Sequence, residues 1–292
     1  MSKSKKTPWW AKLFLSIVGI ILTIALIIGA LCIFAKAVYD IDVVDTINQL
    51  TVLTEQVDEE KNYPNIVSQT EKDALTDSTV THINSNITNL IVTESGEYTI
   101  NDIVSDAMTT DLTLTGKQAC CLMDILIGED NATVNFMGQD VSFDLIQISF
   151  ENITESSADF NVVLKINITS VKEKMTGFPL KYIVNRVPDN LYISSTITIT
   201  KEEGAFNYST ESKSIRINNL TEEKSESFIK TLNTLAGLGS ASELNQSFAG
   251  SFAKALIGSE DNVGFAHSLK TLGATDYDFE KIGEENYFIV RN

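Results

Sequence analysis

The chain has 292 residues, of which 39 are acidic and 22 basic, for a formal net charge of −17. No cluster of Lys and Arg suited to a phosphate backbone occurs, so nucleic acid is excluded as a partner. Of the 3 cysteines, Cys32 lies in an apolar run and Cys120 and Cys121 are adjacent, which excludes a disulfide framework.

The N-terminus carries the strongest single signal. Residues 1–12 hold Lys3, Lys5, Lys6 and Lys12 with Trp9 and Trp10, and Leu13 to Ala35 then contain no charge. A helix rises about 1.5 Å per residue, so a run of this length crosses a bilayer core of roughly 30 Å. Cations confined to its N-terminal side predict a basic cytoplasmic tail over 1–12 and a transmembrane helix over 13–35, with the rest outside the cell. The chain therefore reads as a single-pass protein of a bacterial cell membrane, in contact with the lipid bilayer through 13–35. Ala35-Lys36-Ala37 has the form of a signal-peptide cleavage site, but the apolar run exceeds a signal core, which favours a retained anchor. Leu31 adjoins Cys32 instead of lying three residues before it, so no lipoprotein signal is present. Acidic residues begin only at Asp40, and the exterior they dominate disfavours adhesion to anionic headgroups.

Val43, Ile47, Leu50 and Val57 continue at helical spacing and predict a helical stalk over 36–65, ended by Asn62, Pro64 and Asn65. A short dimeric coiled coil and a monomeric stalk lying on its own domain both fit that pattern. Residues 66–292 form the predicted extracytoplasmic α+β domain. Val80, Ile83, Ile87, Leu90 and Ile91 mark a helix face, and Thr99 to Met108 a short helix capped by Thr99 or Asn101. Leu112 to Leu114 is extended. Thr115, with Gln118 three residues on, then opens a helix by a capping box. Ala119, Leu122, Met123 and Leu126 form one face of it and Cys121 and Ile125 the other, so it is predicted to be buried.

Asn131 to Ile217 is the β-rich part. Val141, Phe143 and Leu145 alternate, then the parity changes to Ile146, Ile148 and Phe150, as at a β-bulge. Phe160, Val162, Leu164, Ile166 and Ile168 alternate cleanly against Asn161, Lys165, Asn167 and Thr169. Leu191, Ile193, Ile197 and Ile199 repeat the pattern. One buried and one wet face is the mark of an antiparallel sheet. Lys201 to Gly204 turns the chain, Phe206 and Tyr208 begin the returning strand, and Ser214 to Ile217 ends the sheet. A compact helix is bounded by Pro179 and Pro188. Two more follow. Thr221 caps one with Phe228, Leu232 and Leu235 on its face; the other carries Leu244, Phe248, Phe252 and Leu256. Tyr277 to Glu280 and Tyr287 to Val290 close the chain as a hairpin.

The run Phe178-Pro179-Leu180 to Val187-Pro188-Asp189-Asn190-Leu191, leading into Ile193 and Ile197, resembles the YpmS-type family of single-span Gram-positive membrane proteins. The likeness covers roughly Leu112 to Leu235. It implies a curved sheet wrapped on a helix with an apolar-ligand groove, and it brings no site residue with it. The fold class is accordingly α+β: one N-terminal transmembrane helix, then an extracytoplasmic domain with a curved, mainly antiparallel sheet packed on amphipathic helices.

Chemistry is sparse. His82 and His267 are far apart, with no second His or Cys at ligand spacing, so no metal and no cofactor are expected, and both read as solvated polar residues. Ser227-Phe228-Ile229-Lys230 and Ser251-Phe252-Ala253-Lys254 match S-x-x-K, but the S-D-N and K-T-G partners of that chemistry are missing. Cys120 and Cys121 in a buried helix, without a cation to lower a thiol pKa, are poor nucleophiles. Asp58-Glu59-Glu60 and Glu222-Glu223 read as exposed faces. Seven N-x-S/T sequons, at Asn86, Asn131, Asn152, Asn167, Asn207, Asn219 and Asn245, are within chance for a chain rich in Asn, Ser and Thr.

These readings point to a non-catalytic, membrane-anchored binding module of the cell envelope, for a lipid or other apolar ligand. The alternative is an accessory or scaffold subunit with a membrane-protein partner. A groove between the Phe160 strand and the Leu180 helix favours the first; a solid core there with an exposed apolar patch favours the second. Acids converging with a Ser or Lys in a cleft favour a third, a hydrolase.

Overall fold

A computed structural model describes residues 52–53, 55–101, 104, 106–128, 132–136, 139–174, 188–236, 240–258 and 264–292. The expected tail 1–12, span 13–35, stalk up to residue 51 and helix from Pro179 to Val187 lie outside the described residues. No helix among the described residues is long and apolar enough to cross a membrane.

The architecture is α+β, and its strands pair antiparallel throughout the described residues. The elements described are, in order, α1 (Glu59–Asn62) and α2 (Gln69–Asn86), then a hairpin of β1 (Ile91–Glu94) and β2 (Glu97–Ile100). Next come β3 (Leu112–Thr115) and α3 (Gly116–Ile127). A five-stranded meander is built from β4 (Thr133–Phe136), β5 (Gln139–Glu151), β6 (Ser157–Asn167), β7 (Asn190–Lys201) and β8 (Tyr208–Ile217), with α4 (Thr169–Lys174) after β6. Helices α5 (Glu222–Ala236), α6 (Ala241–Leu256) and α7 (Phe265–Ser268) lead to β9 (Asp276–Ile282) and β10 (Glu285–Arg291). The last two strands join β3 in a second sheet, ordered β3-β10-β9.

The core follows the alternation of the sequence. Phe160, Val162, Leu164, Ile166 and Ile168 on one side of the sheet are buried with Leu191, Ile193, Ile197 and Ile199. Phe160 is the hub: its ring meets Phe150 of β5 at 4.9 Å, Phe279 of β9 at 5.3 Å and Phe252 of α6 at 5.7 Å, all edge-on. α3 closes another part of this face. Its capping box forms, with Gln118 N donating to Thr115 Oγ1 at 3.3 Å and Thr115 N to Gln118 Oε1 at 2.9 Å. Gly116 starts that helix so close to β5 that a Cβ would stand 2.4 Å from Ile148 O. The face expected to offer a groove is therefore solid wherever it is described. Among the described residues Ile282, at 51 % exposure, is the large hydrophobic side chain left in solvent.

Several local expectations change. The helix face read through to Ile91 stops at Asn86, and no helix forms over 99–108 among the described residues there. Ser95 (φ +57°) and Gly96 (φ +93°) are both left-handed, which makes a two-residue hairpin turn, and Ile91 pairs with Ile100. That pairing outcompetes the Thr99 or Asn101 cap. The β5 bulge occurs between Leu145 and Gln147, but Ile146 does not join Ile148 and Phe150. As the extra residue it points to the opposite face, beside Val163 and Tyr192. Phe206 precedes the returning strand in a left-handed turn (φ +59°) and is buried there. The described part of the stalk is not one helix: residues 55–58 are irregular, and α1 restarts at an Asp58 cap. This stretch lies on the domain, where Val57 and Tyr63 cover Ile146, Val163 and Tyr192.

Past β4, the edge of β5 is covered by side chains and loops. Val67 N donates to Ile146 O at 2.8 Å, and Asn286 Nδ2 donates to Phe150 O at 2.6 Å. At the other edge, Gln246 of α6 mimics a strand, donating to Thr210 O and accepting from Ser212 N. Both devices withhold edge groups from a foreign strand.

Candidate functional site

The chain crosses the β5 edge at Val67 and enters α2, whose start is fixed by a capping box between Ser68 and Glu71. From that cap, Gln69, Lys72, Asp73, Thr76 and Asp77 follow at i, i+3, i+4, i+7 and i+8, one stripe of a helix. The stripe forms one wall of a cavity of about 650 Å³. Asp124, Ile125 and Ile127 from the end of α3 form another, with Gly128 and Ala132. The floor comes from Ser142, Phe143 and Asp144 of β5, with Lys165 and Asn167 of β6 and Asn190 of β7. Gly96, Glu97 and Tyr98 overhang the rim, and Tyr98 OH donates to Asp77 Oδ1 at 2.7 Å.

At the centre, Lys72 Nζ lies 2.5 Å from Asp124 Oδ2 and also pairs with Asp144. The three groups come from a helix, a second helix and a strand. Burial pulls the Lys72 ammonium towards neutrality, but Asp124 and Asp144 together outweigh it and hold the group above the ordinary lysine range. Burial pushes the Asp124 carboxyl up to about 7, with Lys72 opposing and Asp144 adding to the rise. The arrangement is a firmly protonated lysine between two carboxylates, one of which titrates near neutrality.

Lys165 connects the cavity to the segment around α1. Its Nζ lies 2.7 Å from Glu59 Oε1, and Tyr192 OH donates to the same carboxylate. Burial works against the Glu59 charge, yet these two bonds hold its pKa below the usual range. Tyr63 stacks on Tyr192 at 5.7 Å, and burial pushes the Tyr63 hydroxyl up to about 12. Glu59 is thus an ion-pair partner, not the solvated acid of the sequence reading.

The candidate residues of the sequence do not assemble in this cavity. His82 is half-buried with Nε2 at 2.7 Å from Thr113 O; a carbonyl only accepts, so Nε2 carries the proton. Both ring nitrogens of His267 are buried, and the ring sits edge-on to Phe206 at 5.4 Å. Neither histidine is the solvated residue expected, because β3 and the Phe206 turn enclose them. Ser227 and Lys230 lie on α5, Ser251 and Lys254 on α6, away from the cavity lining. Burial raises both thiols, Cys120 well above its ordinary range, and Cys120 Sγ donates to Leu145 O at 3.2 Å. Among the described residues no group of three or more His, Cys, Asp or Glu is placed to hold a metal ion.

No motif marks Lys72, Asp124 or Asp144, though the two acids leave a trace. Asp124 is the one polar residue of the run 119–127 in α3, and Asp144 the acid between Phe143 and Leu145 in a strand. A lone charge inside a buried element calls for a partner.

No protein-family model and no curated protein matches the chain. A crystal structure of lipopolysaccharide binding protein aligns with a TM-score of 0.24 at 9 % identity, over 71 % of this chain and 48 % of that one. The chain spans about half the length of that protein, and a likeness of this size carries no argument about function.

Proposed function

We propose that this protein is a non-catalytic binding module of the cell envelope, anchored by 13–35 with residues 66–292 outside the membrane, and that its ligand lies in the cavity at Lys72. The uncharged run Leu13 to Ala35 behind a basic tail supports the anchor. One observation carries the binding reading: a cavity of about 650 Å³ with Ile125, Ile127 and Phe143 on its walls and a charged triad at its centre. That volume is in the range of a small-ligand site, and its lining is more polar than such sites usually are. A lipid or other apolar ligand enters this reading through those walls and not through the sheet interior, which is filled by Phe160 and its neighbours.

A specific observation also favours the hydrolase reading: Asp124 and Asp144 converge on Lys72 in a cleft. There Lys72, held protonated, is no nucleophile, so proton transfer falls to Asp124.

Native mass spectrometry of the full chain from its own membranes tests the binding reading. The expected result is a small molecule released on denaturation and lost in Ser142→Trp, which fills the cavity from an exposed strand position. A bare mass from the wild type, with a protein captured by crosslinking, replaces this reading with the scaffold one.

A further inference from the structure

The cavity is unequal in charge. Asp73, Asp77, Glu97, Asp124 and Asp144 face it, against Lys72 and Lys165. Both ammonium groups are already engaged, Lys72 between Asp124 and Asp144 and Lys165 with Glu59 outside the lining. The excess carboxylates therefore line the side from which a ligand enters. Asp73 and Asp77 are one helical turn apart on the exposed side of α2, and Glu97 overhangs from the hairpin. Tyr98 adds an aromatic ring at the same rim, held through its hydroxyl to Asp77. Below them the walls turn apolar at Ile125, Ile127 and Phe143. The centre already accommodates one alkylammonium, the end of the Lys72 side chain.

We propose that the cavity takes an amphiphilic organic cation, an ammonium or guanidinium head against Asp73, Asp77 and Glu97 with an apolar body against Ile125, Ile127 and Phe143. This rests on the cavity being the ligand site. An anionic head would meet the excess carboxylates with no uncommitted ammonium at Lys72 or Lys165 to receive it, and a head without charge would leave the rim uncompensated. A ring such as Tyr98 at the mouth attracts a cation and not an anion.

Three probes with one body separate head from tail: hexylamine, hexanoate and 1-hexanol. Binding is measured by calorimetry on the full chain in zwitterionic nanodiscs, with empty nanodiscs subtracted. Hexylamine is expected to bind tightest and to lose its binding in Ser142→Trp. The rim variant Asp73→Asn with Glu97→Gln weakens hexylamine about tenfold and leaves hexanol unchanged. Circular dichroism confirms that these exposed substitutions leave the fold intact. Hexanoate or hexanol binding as tightly as hexylamine, and blocked by Ser142→Trp, overturns the cationic head while the site stands. Affinities that Ser142→Trp leaves unchanged overturn the site itself. Failure of all three probes to saturate overturns the cationic amphiphile.

Discussion

Along the inner face of the five-stranded sheet, Phe160, Val162, Leu164 and Ile166 are sealed under α6, β9 and neighbouring strands. Just beyond the β5 edge, Lys72, Asp124 and Asp144 meet in a cavity open to solvent. The first region is built from one periodic strand pattern repeated, and every residue in it satisfies its neighbours. The second is built from single residues on three separate elements, of which only Asp124 breaks the pattern of its own element. The first is held by packing and the second by charge pairing, so the two should respond differently to substitution.

The largest effect is expected at the hub of the sealed face. Phe160→Ala should cost about 3–5 kcal/mol of unfolding free energy, read from the denaturant midpoint of the full chain, because three rings lose their partner. A loss below about 1 kcal/mol would mean that the face is not closed as described.

In the cavity, Lys72→Met leaves two carboxylates without their cation. With side chains 16 % exposed at Lys72 and 24 % at Asp124, the cost is discounted from a fully buried pair to about 2 kcal/mol. Adding Asp124→Asn should return most of that loss, a coupling that a double-mutant cycle measures directly. Additive losses would break the comparison, since the triad would then act as three separate residues.

A subtler contrast lies in pH. Folded Asp124 keeps its proton to about pH 7, whereas an unfolded aspartate releases it near pH 4. Between those values the folded state binds more protons, so this group makes stability fall as pH rises through the window, with no further change above it. Asp124→Asn removes that slope. Its thermal midpoint relative to wild type should climb from pH 4 to 7 and then level off; a flat difference would place Asp124 at an ordinary carboxylate pKa.

The smallest effect is expected at the segment around α1. Glu59 and Lys165 are about one-third exposed, so Glu59→Gln should change global stability by at most about 0.5 kcal/mol. Hydrogen exchange should nonetheless quicken at 55–67, where Tyr63 and Val57 rest on the sheet. Unchanged exchange there would mean that the ion pair does not hold this segment.

What could be read from the sequence follows the same division. The strand of Phe160, the capping box of Thr115, the bulge in β5, the helix after Thr221 and the helix of Leu244, Phe248 and Phe252 all depend on local spacing, and all form. The hairpin at Ser95-Gly96 escaped because Thr99 and Asn101 offer a competing cap, and only the Ile91–Ile100 pairing decides between them. The cavity escaped for a deeper reason. Lys72 and Asp144 are 72 residues apart, and what joins them is the crossing of the β5 edge at Val67, a tertiary contact. Asp124 in its apolar helix was legible as an anomaly, but its partners were not.

Photocrosslinking inside the cavity tests the central claim most directly. With p-benzoylphenylalanine at Ser142 in the full chain, irradiation of intact cells is expected to give a small-molecule adduct. The same group at Glu211, exposed on β8 outside the cavity lining, should give none. A protein adduct at Ser142, or equal adducts at both positions, would contradict a ligand site at Lys72.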